Sequence, residues 1–301
     1  MMKGMLVIFV LMVSLGIISK VTEQTNTVSL GPETIVPAQV SNDVQNQETA
    51  VVIHPEVDRD DDPVEVLPCT PDPYDCSLRQ ALLIANSDGI PTTITFADHY
   101  IITLARPLPA LTEDETIVRA RSDQEVHVNG NNMTQSVFYI SGANVTLEGL
   151  RIYGAGEGFS NVRVSGSAHQ VRIANNVIGD GDAPSGNCGQ SKASYSGIYV
   201  DGQEAVPTAV RVWIYGNIIE CHEGGPGDGI TIMTDKVVVG QDSEGRAEVA
   251  QKNVLRWNHG YGVSVGNHAG NVICNSLMHD NQAGNLYMTN FNNDVMGNEM
   301  R

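Results

Sequence analysis

Six side chains able to move protons or hold charge gather in one stretch of this chain: Asp180, Asp182, Asp201, His222, Glu223 and Asp228. They lie in or beside two polar insertions, 179–192 and 221–228, rich in Gly, Asp, Pro and Ser. Loops on a rigid scaffold are where binding groups collect. If both insertions leave the same corner of adjacent structural units, these groups converge over one groove. Two carboxylates there would act as acid and base on a glycosidic bond, with Asp182, Asp201, Asp228 and His222 as the candidate catalytic set. They would equally suit a calcium ion that neutralises a uronate carboxylate. A plainer reading stands beside both: Asp180-Gly181 and Asp228-Gly229 are ordinary turn dipeptides, and the insertions are polar loops. For ligand contact the candidates are Tyr199, Tyr215 and His259. Both tyrosines sit between aliphatic positions of their segments, so a period of two points them outward. With Tyr195 and Tyr261 they could form a stripe on which sugars stack. Cysteine and histidine spacing offers no metal site: there is no Cys-x-x-Cys and no His pair at ligand spacing.

The elements that must position these groups repeat. Gly197-Ile-Tyr-Val200, Gly229-Ile-Thr-Ile232, Gly262-Val-Ser-Val265 and Asn285-Leu-Tyr-Met288 alternate with Asn176-Val-Ile178, Asn217-Ile-Ile219, Asn253-Val-Leu255, Asn275-Ser-Leu-Met278 and Asn298-Glu-Met300. The last three Asn are 22 and 23 residues apart, and the earlier gaps of 41 and 36 are the same unit with loops inserted. A short-strand unit at that period predicts a solenoid with one continuous core. Asn recurs at the bends, where it tolerates left-handed backbone and can bond the next coil, so most of the Asn are structural. Ahead of the repeat, Ser77-Leu-Arg-Gln80 reads as a capping box opening a helix over 77–87, followed directly by strand-like Thr92–Phe96 and Tyr100–Leu104. A helix there would cover the exposed end of the first coil.

Net charge is −18, of which residues 21–76 carry −11, with twelve acids against Arg59. Such a surface repels phosphate backbones, which excludes nucleic acid as a partner and disfavours anionic membranes. Lys3 and the apolar run Met5–Ile18 read as an export signal or N-terminal anchor over 1–19, too short for a comfortable bilayer span. Residues 20–67 hold few large apolar groups and read as a disordered acidic linker. The third segment, 68–301, is the solenoid, and its stop inside a repeat suggests truncation. Five Cys in an exported chain fit an oxidising compartment. Cys69 and Cys76 enclose a turn-rich hexapeptide and should pair. Cys188 and Cys221, both in insertions, could pair, and Cys274 in an apolar segment reads as a small buried hydrophobe.

Cys76-Ser-Leu-Arg-Gln80-Ala81, Ala85-Asn86, Thr93-Ile-Thr-Phe96, Ile102-Thr-Leu104 and Leu108-Pro-Ala-Leu-Thr112, in that order, resemble the CSLREA-type N-terminal segment of secreted bacterial right-handed parallel β-helix proteins. The repeat resembles the pectate-lyase-like superfamily. The resemblance implies an all-β, right-handed parallel β-helix with an N-terminal capping helix, secreted or on the cell surface. Its functions would be a structural, adhesive or glycan-binding module or, alternatively, a polysaccharide lyase or glycoside hydrolase acting on acidic polysaccharide through the 179–228 loops. The polygalacturonase-like motifs are not intact; Asn258-His259-Gly260 is a partial echo of one. A lyase of the pectate type would need an Arg base beside calcium-binding carboxylates, for which Arg211 and Arg256 are available.

Overall fold

The computed structural model describes residues 54–63, 69–70, 75–179, 188, 194–202 and 211–301. Among these, strands form three sheets of nine, eight and six members, and neighbouring strands run parallel. Each coil visits the first, second and third sheet in turn, as Val212–Tyr215, Ile218–Glu220 and Asp228–Ile232 do. Strand neighbours therefore come from successive coils, which is a parallel β-helix, and parallel crossovers take the right-handed path.

The core is a set of aliphatic columns. On the first sheet Ile94, Val118, Leu147, Ile173, Ile214, Val239 and Ile273 lie in register, all fully buried. Ile102, Val128, Ile152, Ile178, Ile219, Leu255 and Met278 do the same on the second. Phe138, Val162, Ile198, Ile230 and Val263 complete the third. Each such side chain contributes about 1.5–3 kcal/mol of burial.

Asparagine ladders close the corners. Between the first and second sheets, the Asn176 backbone N donates to Asn217 Oδ1 at 3.0 Å and the Asn217 N to Asn253 Oδ1 at 3.0 Å. The second-to-third corner has its own ladder, in which Asn258 Nδ2 donates to Asn281 Oδ1 at 2.9 Å. The residue before most rungs is left-handed: Asn175, Gly216, Trp257 and Asp280 have positive φ, whereas Lys252, before Asn253, is extended. The recurrent Gly of the Gly-Ile-x-Val unit is a matter of room. A Cβ on Gly229 would lie 2.6 Å from the Gly262 carbonyl oxygen and 3.0 Å from Asn258 Nδ2, so no larger residue fits over the rung.

At the N-terminal end, helix α1 (Leu78–Ala85) carries the expected capping box between Ser77 and Gln80. It contacts the strand Thr93–Phe96 at the start of the helix stack. The linker expected over 20–67 is corrected at its end: residues 54–63 belong to the fold. Glu56–Val57 adds a parallel edge strand to Thr93–Phe96, and Val57 is fully buried. The acidic run there is partnered, not merely solvated. Asp62 forms a two-pronged ion pair with Arg79 at 2.6 and 2.7 Å, and their side chains are 2% and 5% exposed. The rest of the linker, 20–53 and 64–67, and the signal or anchor over 1–19 lie outside the described residues. Among the described residues no helix is long and apolar enough to cross a membrane.

Both expected disulfides are present, Cys69–Cys76 and Cys188–Cys221, and Cys274 is free and buried. The second spans 33 residues. Closing a loop of that size stabilises by about 2–4 kcal/mol. A Cys188→Ser, Cys221→Ser double variant is therefore expected to unfold at lower urea with that loss. An unchanged midpoint would mean that the bridge constrains nothing.

Candidate functional site

The outward positions of the third sheet fall in one line. Tyr139, Arg163, Tyr199, Thr231, Ser264 and Tyr287 are direct register partners from coil to coil. At one strand spacing per step, the line runs about 24 Å. The strand alternation that buries Ile198 and Val200 turns Tyr199 out, and the same holds for Phe138-Tyr139-Ile140.

At one end of the line the Arg163 guanidinium lies over two rings, 5.8 Å from the Tyr139 centroid and 5.5 Å from that of Tyr199. Its Nη2 donates to Asp201 Oδ2 at 2.6 Å. That hydrogen bond raises the Arg163 pKa, and burial raises that of the Tyr199 phenol. Two adjoining depressions of about 170 and 360 Å³ open here and share Ser136, Phe159 and Arg163. Tyr195 packs edge-on to Tyr199 with centroids 5.8 Å apart.

At the other end a cleft of about 520 Å³ is lined by Gly225 and Pro226 of the second insertion, by Asp228, His259, Tyr261 and Ser264, and by Gln282 and Tyr287. Tyr261 and Tyr287 stack with centroids 5.0 Å apart and planes 24° apart. Asp228, 3% exposed, accepts the Tyr261 backbone N–H at 2.8 Å and the Thr231 hydroxyl at 3.0 Å. Burial raises its carboxyl pKa against the lowering effect of these bonds and one from Ser264.

The sequence candidates separate. Asp228 and His259 meet at the cleft, and His259 is exposed there. Asp201 stands at the Arg163 end. Ser196 is the register partner of Asp228, and Asp201 comes five residues after it, so the two carboxylates are about 17 Å apart along the strand direction. Sugar acid–base pairs work at about 5–10 Å, so Asp201 and Asp228 do not form one. Asp182 and Asp180 lie outside the described residues.

His222 is corrected. It is fully buried, with Nε2 3.1 Å from Asn161 Nδ2 and Nδ1 2.8 Å from Asn258 Oδ1. Cys221 before it has positive φ, as Trp257 and Asp280 do before their rungs. His222 is thus a ladder rung where the neighbouring coils use Asn, and burial lowers its pKa to about 4. No face of it reaches a groove. Tyr215 is corrected as a member of the stripe: it sits half-buried on the first sheet, away from the line. Neither lyase-type arginine is available as a base. Arg256 pairs with the buried Glu220 at 2.6 Å, and Arg211 is 3% exposed and donates to the carbonyls of Gly166 and Asp201. Among the described residues no three His, Cys, Asp or Glu side chains come together as a metal site.

Arg163, Tyr139 and Tyr287 were missed by sequence reasoning. The signal was available: Phe138-Tyr-Ile140, Ile198-Tyr-Val200 and Leu286-Tyr-Met288 share one apolar–Tyr–apolar pattern, and Val162-Arg-Val164 places Arg in the same slot.

No family model and no curated protein matches this chain. Among solved structures, it is similar to the crystal structure of a mutant of the periplasmic alginate epimerase AlgG, at 12% sequence identity and a TM-score of 0.39, covering 70% of this chain and 59% of that one. The chain thus spans less than two thirds of that protein's length.

Proposed function

We propose that this chain is an exported β-helix module, secreted or held at the cell surface, whose third-sheet face binds a glycan. The observation that carries the reading is the register line Tyr139–Arg163–Tyr199–Thr231–Ser264–Tyr287, with clefts at both ends. Sugar rings offer an apolar C–H face and a rim of hydroxyls. Aromatic rings take the first, and polar groups such as Arg163 and Ser264 take the second. A flat row of such groups on a rigid sheet suits an extended chain ligand. Two disulfides support an oxidising, extracytoplasmic location.

The enzymatic alternative, a lyase or hydrolase, has one supporting observation: the Asp228 carboxyl is buried in a cleft with a raised pKa, as a general acid would be. Its expected partner Asp201 lies beyond working distance. One experiment separates the readings. The full chain is run through gels containing neutral or acidic polysaccharides, and the same mixtures are assayed for new reducing ends and unsaturated products. Retardation without products, reduced about tenfold in affinity by Tyr199→Ala, is the expected result. Products lost in Asp228→Ala would establish the enzyme instead, and a folded chain retarded by no polysaccharide would end the glycan reading.

A further inference from the structure

We infer that the cleft at the Tyr261–Tyr287 stack is a subsite for an uncharged sugar ring and discriminates against uronates. The inference rests on the glycan-binding reading and narrows it at one end of the face. Three observations carry it. The first is shape: a volume of about 520 Å³ falls within the range of small-ligand clefts, and the Gly225-Pro226 turn and Gln282 contribute to its lining. The second is the platform. Tyr261 and Tyr287 lie nearly parallel, and Tyr287 is 43% exposed, so an aromatic surface is presented to whatever enters.

The third is charge. No Lys or Arg lines the cleft, and its one carboxylic acid is Asp228. The carboxylate is fixed by the Tyr261 N–H and the Thr231 hydroxyl, whose oxygen lies 2.7 Å from Ser196 Oγ. It cannot swing away from an incoming ligand without breaking those bonds. A sugar hydroxyl arriving there can donate to it. A uronate carboxylate meets a like charge there with no Lys or Arg to pair with, and the repulsion disfavours it. Arg163, the cation of this face, stands about 19 Å from Tyr287, four strand spacings along the line and two from the Asp228 strand, and is already paired with Asp201. The two ends of the face are therefore chemically different, and the Asp228 end is the one that reads an uncharged ring.

The test is titration of the full chain at pH 8. The probes are cello-, manno- and malto-oligosaccharides and oligogalacturonates, followed by calorimetry. At least one neutral series is expected to bind more tightly than the uronate series. Tyr287→Ala should weaken that neutral binding about tenfold. Asp228→Asn should raise oligogalacturonate affinity relative to the neutral series, because it removes the repulsion while its one remaining oxygen can still accept the Tyr261 N–H. Tyr287 is exposed, so its variant tests the subsite even where Asp228→Asn disturbs folding. Uronates binding more tightly than every neutral series, with that binding weakened by Tyr287→Ala, would overturn the inference and leave the glycan face standing. So would neutral binding that falls with Tyr199→Ala and ignores Tyr287→Ala. Binding of none of the probes by folded protein would overturn both.

Discussion

Asp62→Ala is expected to lower the unfolding free energy by about 3–5 kcal/mol, the usual cost of stranding one member of a buried ion pair. Arg79 sits in the first turn of α1 with its side chain 5% exposed. Without Asp62 its Nη1 and Nη2 still reach the Pro107 and Arg106 carbonyls, at 2.6 and 2.7 Å, but no anion offsets the buried charge. The Ala105 N–H, which donates to Asp62 Oδ2 at 2.9 Å, loses that partner to solvent as well. The pair also fastens residues 54–63 to the helix. Its loss frees the edge strand Glu56–Val57, which shields the strand Thr93–Phe96 of the first coil. Two readouts distinguish this from a surface effect. The urea midpoint falls, and protease cleavage near residue 60 becomes fast. An Arg79→Met, Asp62→Leu double variant should recover much of the loss, since apolar replacement removes both charges together. A single variant within about 0.5 kcal/mol of the parent would show that the contact is not held in solution.

Most of the architecture is legible in the sequence, because a solenoid writes its fold locally. Ile198 and Val200 alternate with Tyr199 for the same reason that Ile230 and Ile232 alternate with Thr231, and each coil repeats the instruction. The capping box at Ser77 and Gln80 is local in the same sense. What could not be read is what depends on partners far along the chain. Asp62 lies in a run that looks solvated until Arg79, 17 residues away, is folded against it. His222 looks like a loop histidine because its rung partners are 61 and 36 residues distant. Its offset gives it away: His222 follows Ile218 by the same four residues that separate Asn258 from Val254 and Asn281 from Leu277. The candidate residues divide in the same way: Asp228, His259 and Tyr199 are readable as local polar or alternating positions, whereas the line of contacts arises only when single outward residues from separate coils are stacked.

The histidine rung makes stability depend on acid in a way that its asparagine counterparts do not. The hydrogen bonds assign the neutral tautomer: Nδ1–H donates to Asn258 Oδ1, and Nε2 accepts from Asn161 Nδ2. A second ring proton would point at that amide N–H. The amide cannot turn over freely, because Asn161 Oδ1 already accepts the Ala155 N–H at 3.0 Å. Burial holds the folded pKa at about 4 against the raising effect of the Asn258 hydrogen bond, whereas an unfolded His titrates near 6.5. The unfolded chain therefore binds the proton first. Stability is undiminished above about pH 6.5, falls as the pH drops toward 4, and the full loss is about 3 kcal/mol. His222→Asn restores the residue used at positions 258 and 281 and carries no proton. The variant should lose about 3 kcal/mol less than the parent between pH 7 and pH 4, measured by urea unfolding at each pH, while acids common to both chains cancel in the difference. His222→Leu has no such escape. It strands the Asn161 amide and the Asn258 carbonyl oxygen in the core, at about 1–3 kcal/mol each, at every pH. Parallel pH curves for the parent and His222→Asn would mean that the imidazole charges within the fold, and that the corner opens to admit water before the coil unfolds.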